Sequence, residues 1–294
     1  MSRKYNFCAG PSALPFEVLD NLKDELLDWR GHGLSTMEMS HRSKEFIEIA
    51  ETAKKDFIDL LGINDDYEVL FIQGGASLQF SMIPMNLLEN QNSICSYVDV
   101  GQWSKKAIKE AKKYGNVKIA ASSAEASYKK YPNPESWNID KNSSFTHMVM
   151  NETIDGVGLR NLDNLPESNI VADCSSCILS EPLDVSKFGI IYAGAQKNIG
   201  PAGLAIIIIR KDLIKDIPNL PAMMSYKTYS DSDSMYNTPP TFAWYLSGMV
   251  FKWLKNNGGL SNRKLINESK ANKLYSFIDE SEFYMNDVDK NSRS

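Results

Sequence analysis

The chain has 294 residues, 43% hydrophobic and 23% charged, with a formal net charge of −5. Those proportions belong to a globular protein long enough to bury a core without disulfide or metal staples, as one large domain with a smaller companion. The acidic balance argues against nucleic acid or an anionic membrane as partner, so any anion site must be local. The longest strongly apolar run, Leu204–Ile209, is far too short to span a bilayer. Met1-Ser2-Arg3-Lys4 leads into Tyr5-Asn6-Phe7-Cys8-Ala9-Gly10-Pro11 rather than an apolar signal core, so a soluble, cytoplasmic protein is expected.

Helix and strand patterns alternate along the chain. Val18, Leu19, Leu22, Leu26 and Trp29 repeat at helical spacing after Pro15, which predicts a helix over Phe16–Trp29. A second helix is predicted over Phe46–Leu61. Tyr67–Ile72 reads as a strand, Gly74-Gly75 as a break, and Ser77–Leu88 as a helix kinked at Pro84. A strand at Ser93–Val98 and a helix over Gln102–Tyr114 follow, then short strands at Val117–Ala120, Thr146–Met150 and Ile170–Asp173. Apolar runs on both sides of Ala193–Gly203 predict two buried strands enclosing a short polar loop that holds Lys197. Thr241–Lys255 is an apolar helix ended by Asn256-Asn257-Gly258-Gly259, and Leu260–Ile278 a more polar one. This alternation predicts an α/β fold with a mostly parallel sheet covered on both faces, whose ligands gather at the carboxyl ends of the strands.

Four features would meet at that edge. Lys197 is an amine at the mouth of a buried sheet, suited to a Schiff base with a carbonyl such as pyridoxal phosphate (PLP), although a lysine in isolation is usually solvated. Gly74-Gly75-Ala76-Ser77 has the composition of a phosphate cradle at a helix N-terminus; the plain alternative is a strand-to-helix turn capped by Ser77. Asp173 ends an apolar strand, where a carboxylate needs a partner such as a pyridinium nitrogen, or else serves as a turn aspartate. Thr153 lies just past another strand. Trp103 is either a stacking platform or core, and His41-Arg42 either an anion contact or surface charge ahead of a helix. Cys174-Ser175-Ser176-Cys177 is formally a CxxC, but no second pair or suitably spaced histidine accompanies it, so reduced thiols are the simpler reading.

Together these residues resemble the phosphoserine aminotransferases, PLP enzymes of fold type I. The resemblance runs over nearly the whole chain and rests on Asn6–Pro11, Met37–Arg42, Asn151–Gly156, Ala193–Gly203 and Met235–Thr241. It implies a large domain at 16–258 with a seven-stranded sheet, and a smaller α/β domain from 1–15 and 259–294. It implies Lys197 as the Schiff-base lysine and proton shuttle, Asp173 facing the pyridinium nitrogen, Trp103 stacked on the ring and Thr153 at its polar edge. Ala76, Ser77 and Gln196 would hold the phosphate. Asn237 and Thr238 would complete the site of the other subunit in a homodimer, and His41 and Arg42 would meet the acidic side group of the substrate. The implied reaction interconverts O-phosphoserine and 2-oxoglutarate with 3-phosphohydroxypyruvate and glutamate, for serine synthesis and, in many bacteria, pyridoxine synthesis on a phosphorylated hydroxythreonine precursor.

The chain also departs from that pattern. Some relatives carry arginine where Ser77 stands and serine where Ala9 stands, so the phosphate shell here is the less basic variant. Family members continue past the position of Ser294, with a His-Arg pair and an arginine that clamps the substrate α-carboxylate. The expectation is therefore an incomplete small domain with exposed apolar surface, and weak turnover for want of a clamp worth ~2–5 kcal/mol. The rival readings are another fold type I enzyme such as a cysteine desulfurase, a non-catalytic PLP-binding remnant, and an unrelated phosphate-binding Rossmann-like module.

Overall fold

A computed structural model describes residues 3–294. In chain order the elements are α1 (Phe16–Glu25), α2 (Lys44–Leu61), β1 (Tyr67–Gln73), α3 (Gly75–Leu87), β2 (Ile94–Asp99), α4 (Gln102–Ala111) and β3 (Asn116–Ser122). Then come β4 (Ser143–Val149), β5 (Asn151–Glu152), β6 (Val157–Gly158), β7 (Ile170–Asp173), β8 (Ile190–Gly194) and β9 (Leu204–Arg210). The chain finishes with α5 (Tyr226–Asp231), α6 (Thr241–Asn256) and α7 (Gly259–Asp279). Seven strands form one sheet in the order β1-β9-β8-β7-β4-β2-β3, and β5 and β6 form a small antiparallel pair. Only β9 runs against the rest of the large sheet, antiparallel to both β1 and β8.

The sheet is buried on both faces, and the strand sequences show why. Along β9, Leu204, Ile206 and Ile208 join one core while Ala205, Ile207 and Ile209 join the other. Along β1, Val69 and Phe71 point to the first core, and Leu70 and Ile72 to the second. Successive side chains in a strand alternate between faces, so a continuous apolar run is what a doubly covered strand requires. Helices α2 and α6 cover the first face, where Trp244 stacks on Phe71 with ring centroids 4.2 Å apart. Gly248 of α6 lets α2 approach closely, since a Cβ there would lie 2.9 Å from the Ala53 Cβ. Helices α3, α4 and α5 supply the second face.

The first helix is shorter than its apolar spacing predicts. It stops at Glu25, and Trp29 enters the core from a short 3₁₀ turn in which Arg30 has φ 50°. Trp29 is buried as expected; the helix is interrupted because the Asp28 carboxylate accepts the Gly33 N–H at 2.7 Å, a local bond that competes with helix continuation. Helix α7 buries only Leu260, and Leu265, Leu274, Phe277, Phe283 and Met285 stand exposed along it and just beyond.

Behind the sheet edge, His147 of β4 is buried between Tyr97, stacked at 4.8 Å, and the Tyr192 hydroxyl, 2.8 Å from its Nε2. Burial pushes it down from its ordinary 6.5 to about 3. Between those values the unfolded chain binds a proton that the folded chain refuses, so this stability is complete above the unfolded value and is lost as pH falls toward the folded one. His147→Gln should therefore flatten the decline of thermal stability between pH 6.5 and about 3, read as melting temperature against pH beside the parent. Parallel curves for the two proteins would count against this assignment.

Candidate active site

The carboxyl ends of the parallel strands meet along one edge, and the residues just past them converge. β1 is followed by Gly74 and α3, β2 by Gly101 and α4, β4 by β5 and Thr153, β7 ends in Asp173, and β8 leads into the Lys197 loop. This is the geometry that a sheet switching direction between neighbours offers to a ligand.

Lys197 is half-buried. Its Nζ donates to the Thr153 hydroxyl and lies 4.9 Å from the centre of the Trp103 ring. Desolvation pushes its amine below the ordinary lysine value, with Asp173 and Glu152 pulling weakly the other way. The loop that carries it is pinned along its length. Ala195 N–H donates to Leu204 O at 2.9 Å, Gly200 N–H to Ala195 O at 2.8 Å, and the Asn198 side chain to Ile178 O at 2.6 Å. The N-terminal segment lies over it: Ser12 N–H donates to Gln196 O at 2.9 Å, and the Ser12 hydroxyl donates to Lys197 O.

Asp173 is 5% exposed. Its Oδ1 accepts the Ser175 N–H at 2.9 Å and the Ser175 hydroxyl at 2.6 Å, and that hydroxyl accepts the Gly194 N–H at 3.0 Å. Burial pushes the carboxyl upward; the Ser175 bonds, Lys197 and Tyr192 act against it. An acid held this way lacks a full counter-charge and is suited to a cation arriving from outside the chain.

Helix α3 begins without a side-chain cap. Gly74 holds the N-cap position at φ 97° and Gly75 follows at φ 69°. Ser77 lies inside the first turn and is exposed, so the alternative of a Ser77 cap is set aside. Uncapped N–H groups on a glycine turn leave an anion cradle at the positive end of the helix. Ala76 and Gln196 adjoin it: a Cβ on Gly194 would lie 3.2 Å from the Ala76 Cβ and 2.7 Å from the Gln196 Oε1. That Gln196 oxygen and the Trp103 indole N–H are both buried without a partner among the described residues.

Thus Lys197, Thr153, Trp103, Asp173, Ala76 and Gln196 are brought together. Asn237 and Thr238 are exposed and bond to nothing in this cluster. His41 and Arg42 precede α2, and no hydrogen bond joins them to Lys197; His41 Nε2 is buried without a partner, and desolvation lowers its titration. Sequence reasoning passed over Ser12, Ser175, Tyr192, His147 and Glu152. For Glu152 a signal was present, since it is an acid just past an apolar strand, as Asp173 is. A cleft of about 380 Å³ between α1, α2 and α6, lined by Trp29 and Tyr245 among others, shares no residue with the cluster.

Comparison with known proteins agrees with this geometry. The class-V aminotransferase family matches residues 4–294. Phosphoserine aminotransferase from Hahella chejuensis is 53% identical over 293 residues, covering 99% of this chain and 81% of that protein. A phosphoserine aminotransferase structure determined to follow radiation damage of its Schiff base superposes with a TM-score of 0.97 at 45% identity, covering 100% of this chain and 82% of the other. PLP-bound phosphoserine aminotransferase from Trichomonas vaginalis superposes with a TM-score of 0.93 at 36% identity, covering 99% and 82%. With strand ends, lysine loop and whole-chain similarity in agreement, the chain belongs to the class-V aminotransferases, in the phosphoserine aminotransferase family.

Proposed function

We propose that this chain is a PLP-dependent transaminase interconverting O-phosphoserine and 2-oxoglutarate with 3-phosphohydroxypyruvate and glutamate. The observation that carries the reading is Lys197, a desolvated amine bonded to Thr153 and 4.9 Å from the centre of the Trp103 ring, within electrostatic reach of the buried Asp173. The residues fit the cofactor. The uncapped N-terminus of α3 and the side-chain N–H of Gln196 would take its phosphate, Trp103 its ring face, Thr153 its polar edge, and Asp173 its ring nitrogen. When bound, PLP supplies an electron sink for charge developing at the amino-acid Cα.

The chain's own part is positioning and proton handling. Desolvation raises the fraction of Lys197 that is neutral at a given pH, so Nζ can act as nucleophile and then as the base that carries the Cα proton. Thr153 fixes where Nζ rests between steps. Asp173, steadied by Ser175, would hold the cofactor's ring nitrogen in its protonated form. The Ser12 bonds lay the N-terminal segment over the lysine loop and limit the motion of its backbone.

The partner arrangement is part of the same proposal. Asn237 and Thr238, exposed and unengaged, would reach the phosphate of a second copy's cofactor in a homodimer, and His41 and Arg42 would meet the acidic side group of the substrate. The division into a large domain at 16–258 and a smaller one from 1–15 and 259–294 also belongs here. Among the described residues no helix is long and apolar enough to cross a membrane.

Three outcomes are expected. Purified protein mixed with PLP should develop a visible absorbance band that changes when glutamate is added, and Lys197→Ala should lose covalent attachment after borohydride reduction, read by mass spectrometry; a band without attachment at Lys197 would refute the assignment. The rate of Schiff-base formation at Lys197 should level off at a pH below the ordinary lysine value of 10.5, because burial removes the proton earlier; levelling at or above that value would count against the desolvated amine. Asp173→Asn should lower kcat by about 100-fold or more while the cofactor still binds, since a preorganised charge is lost where charge develops. Near-parent turnover would remove Asp173 from its role.

A further inference from the structure

Glu152 sits next to Thr153, with its side chain fully buried. Its carboxylate accepts the Trp103 N–H at 3.0 and 3.2 Å and the Ser104 N–H at 2.9 Å, both in the first turn of α4. Among the described residues no lysine, arginine or histidine lies within ion-pair distance of it. A buried carboxylate without an ion-pair partner is costly, and here the N–H groups of the helix N-terminus supply its hydrogen bonds. A helix is ordinarily capped by the residue just before it, with a serine, threonine, aspartate or asparagine at that place. In α4 that place is Gly101, which has no side chain, and the cap is brought in from 49 residues away. Gly101 is also what makes room for it. A Cβ there would lie 2.7 Å from the Glu152 carboxyl carbon and 2.9 Å from its Cγ, and the backbone at φ 156°, ψ −153° suits glycine.

The imported cap joins two parts of the site that have no other direct bond. Trp103 presents its ring to Lys197, and Thr153, the residue after Glu152, receives the Lys197 amine. We propose that Glu152 is a positioning residue for the reaction: by capping α4 through the Trp103 backbone, it fixes the plane of the Trp103 ring relative to Lys197 and Thr153, and so the orientation of the cofactor ring between them. This rests on the PLP reading above. The carboxylate touches neither substrate nor reacting atoms; it acts through Trp103. Its Oε1 accepts from both N–H groups and its Oε2 shares the Trp103 one, so the amide of glutamine keeps one accepting oxygen but loses the charge, and alanine keeps no acceptor.

The test uses the holoprotein, with Glu152→Gln, Glu152→Ala and Gly101→Ala beside the parent. The readouts are visible circular dichroism per bound cofactor, which reports how asymmetrically the ring is held, and kcat and KM for glutamate. The expected order of the dichroic signal is parent, then glutamine, then alanine. For Glu152→Ala, kcat should fall by about 10-fold to 100-fold with KM within about 2-fold, the pattern of a misoriented reacting group. Gly101→Ala keeps the carboxylate but pushes it off the α4 N-terminus, and should give the same signature; it decides the matter if Glu152→Ala does not fold. Parent-like dichroism and kcat in whichever of Glu152→Ala and Gly101→Ala folds would overturn the proposal while leaving the PLP reading intact. A parent protein with no visible band on adding PLP would overturn both.

Discussion

The Ser175 hydroxyl donates to the Asp173 carboxylate and accepts from the Gly194 backbone, and the site depends on this joint. Two adjacent parallel strands end there, and a carboxylate with no cation beside it would be free to turn. One hydroxyl satisfies the acid and ties it to the residue that precedes the lysine loop. The distance from the buried acid to the amine-bearing loop is thereby set by the sheet rather than by a flexible side chain. The cradle at α3 is registered to the same point, because Gly194 also abuts Ala76 and Gln196.

Charge within the cluster follows from burial. Asp173 and Glu152 are pushed toward their neutral acids and Lys197 toward its neutral amine, all chiefly by desolvation. The two acids act against the shift of Lys197 and Lys197 against that of Asp173, while Asp173 adds to that of Glu152, and among the described residues Lys197 is the one cationic side chain acting on Asp173. Further positive potential comes from helix ends, at α3 facing open space and at α4 facing Glu152. A ligand carrying an anionic end and a cationic ring nitrogen would meet the potential it needs at both ends.

Much of this was legible in the sequence because apolar runs mark strands, and the polar residue that ends such a run is conspicuous. Asp173, Thr153, Lys197 and the Gly74–Ser77 turn were visible on that ground. Alternation cannot reveal strand direction, so the reversed β9 was not foreseen, although its residues were placed in a strand. Trp29 was placed in the core, but not by the turn that delivers it. Tyr192 and His147 lie within runs read as strands and were passed over; their mutual bond exists only once β4, β7 and β8 are laid side by side. Ser12 reaches a carbonyl 185 residues away, and Glu152 an amide 49 residues away, and neither contact leaves a local pattern to read.

The reversal of β9 bears on how Lys197 is held. Because β8 and β9 are antiparallel neighbours, Lys197 rides on a hairpin whose two ends are locked into the centre of the sheet, whereas a crossover helix would have carried it away from the edge. With the loop backbone pinned at Gln196, Ala195 and Gly200, the conformational freedom of Lys197 is that of its four-carbon side chain. In the proposed reaction Nζ would swing about that fixed pivot, from Thr153 across the Trp103 ring, over a stroke no longer than one lysine side chain.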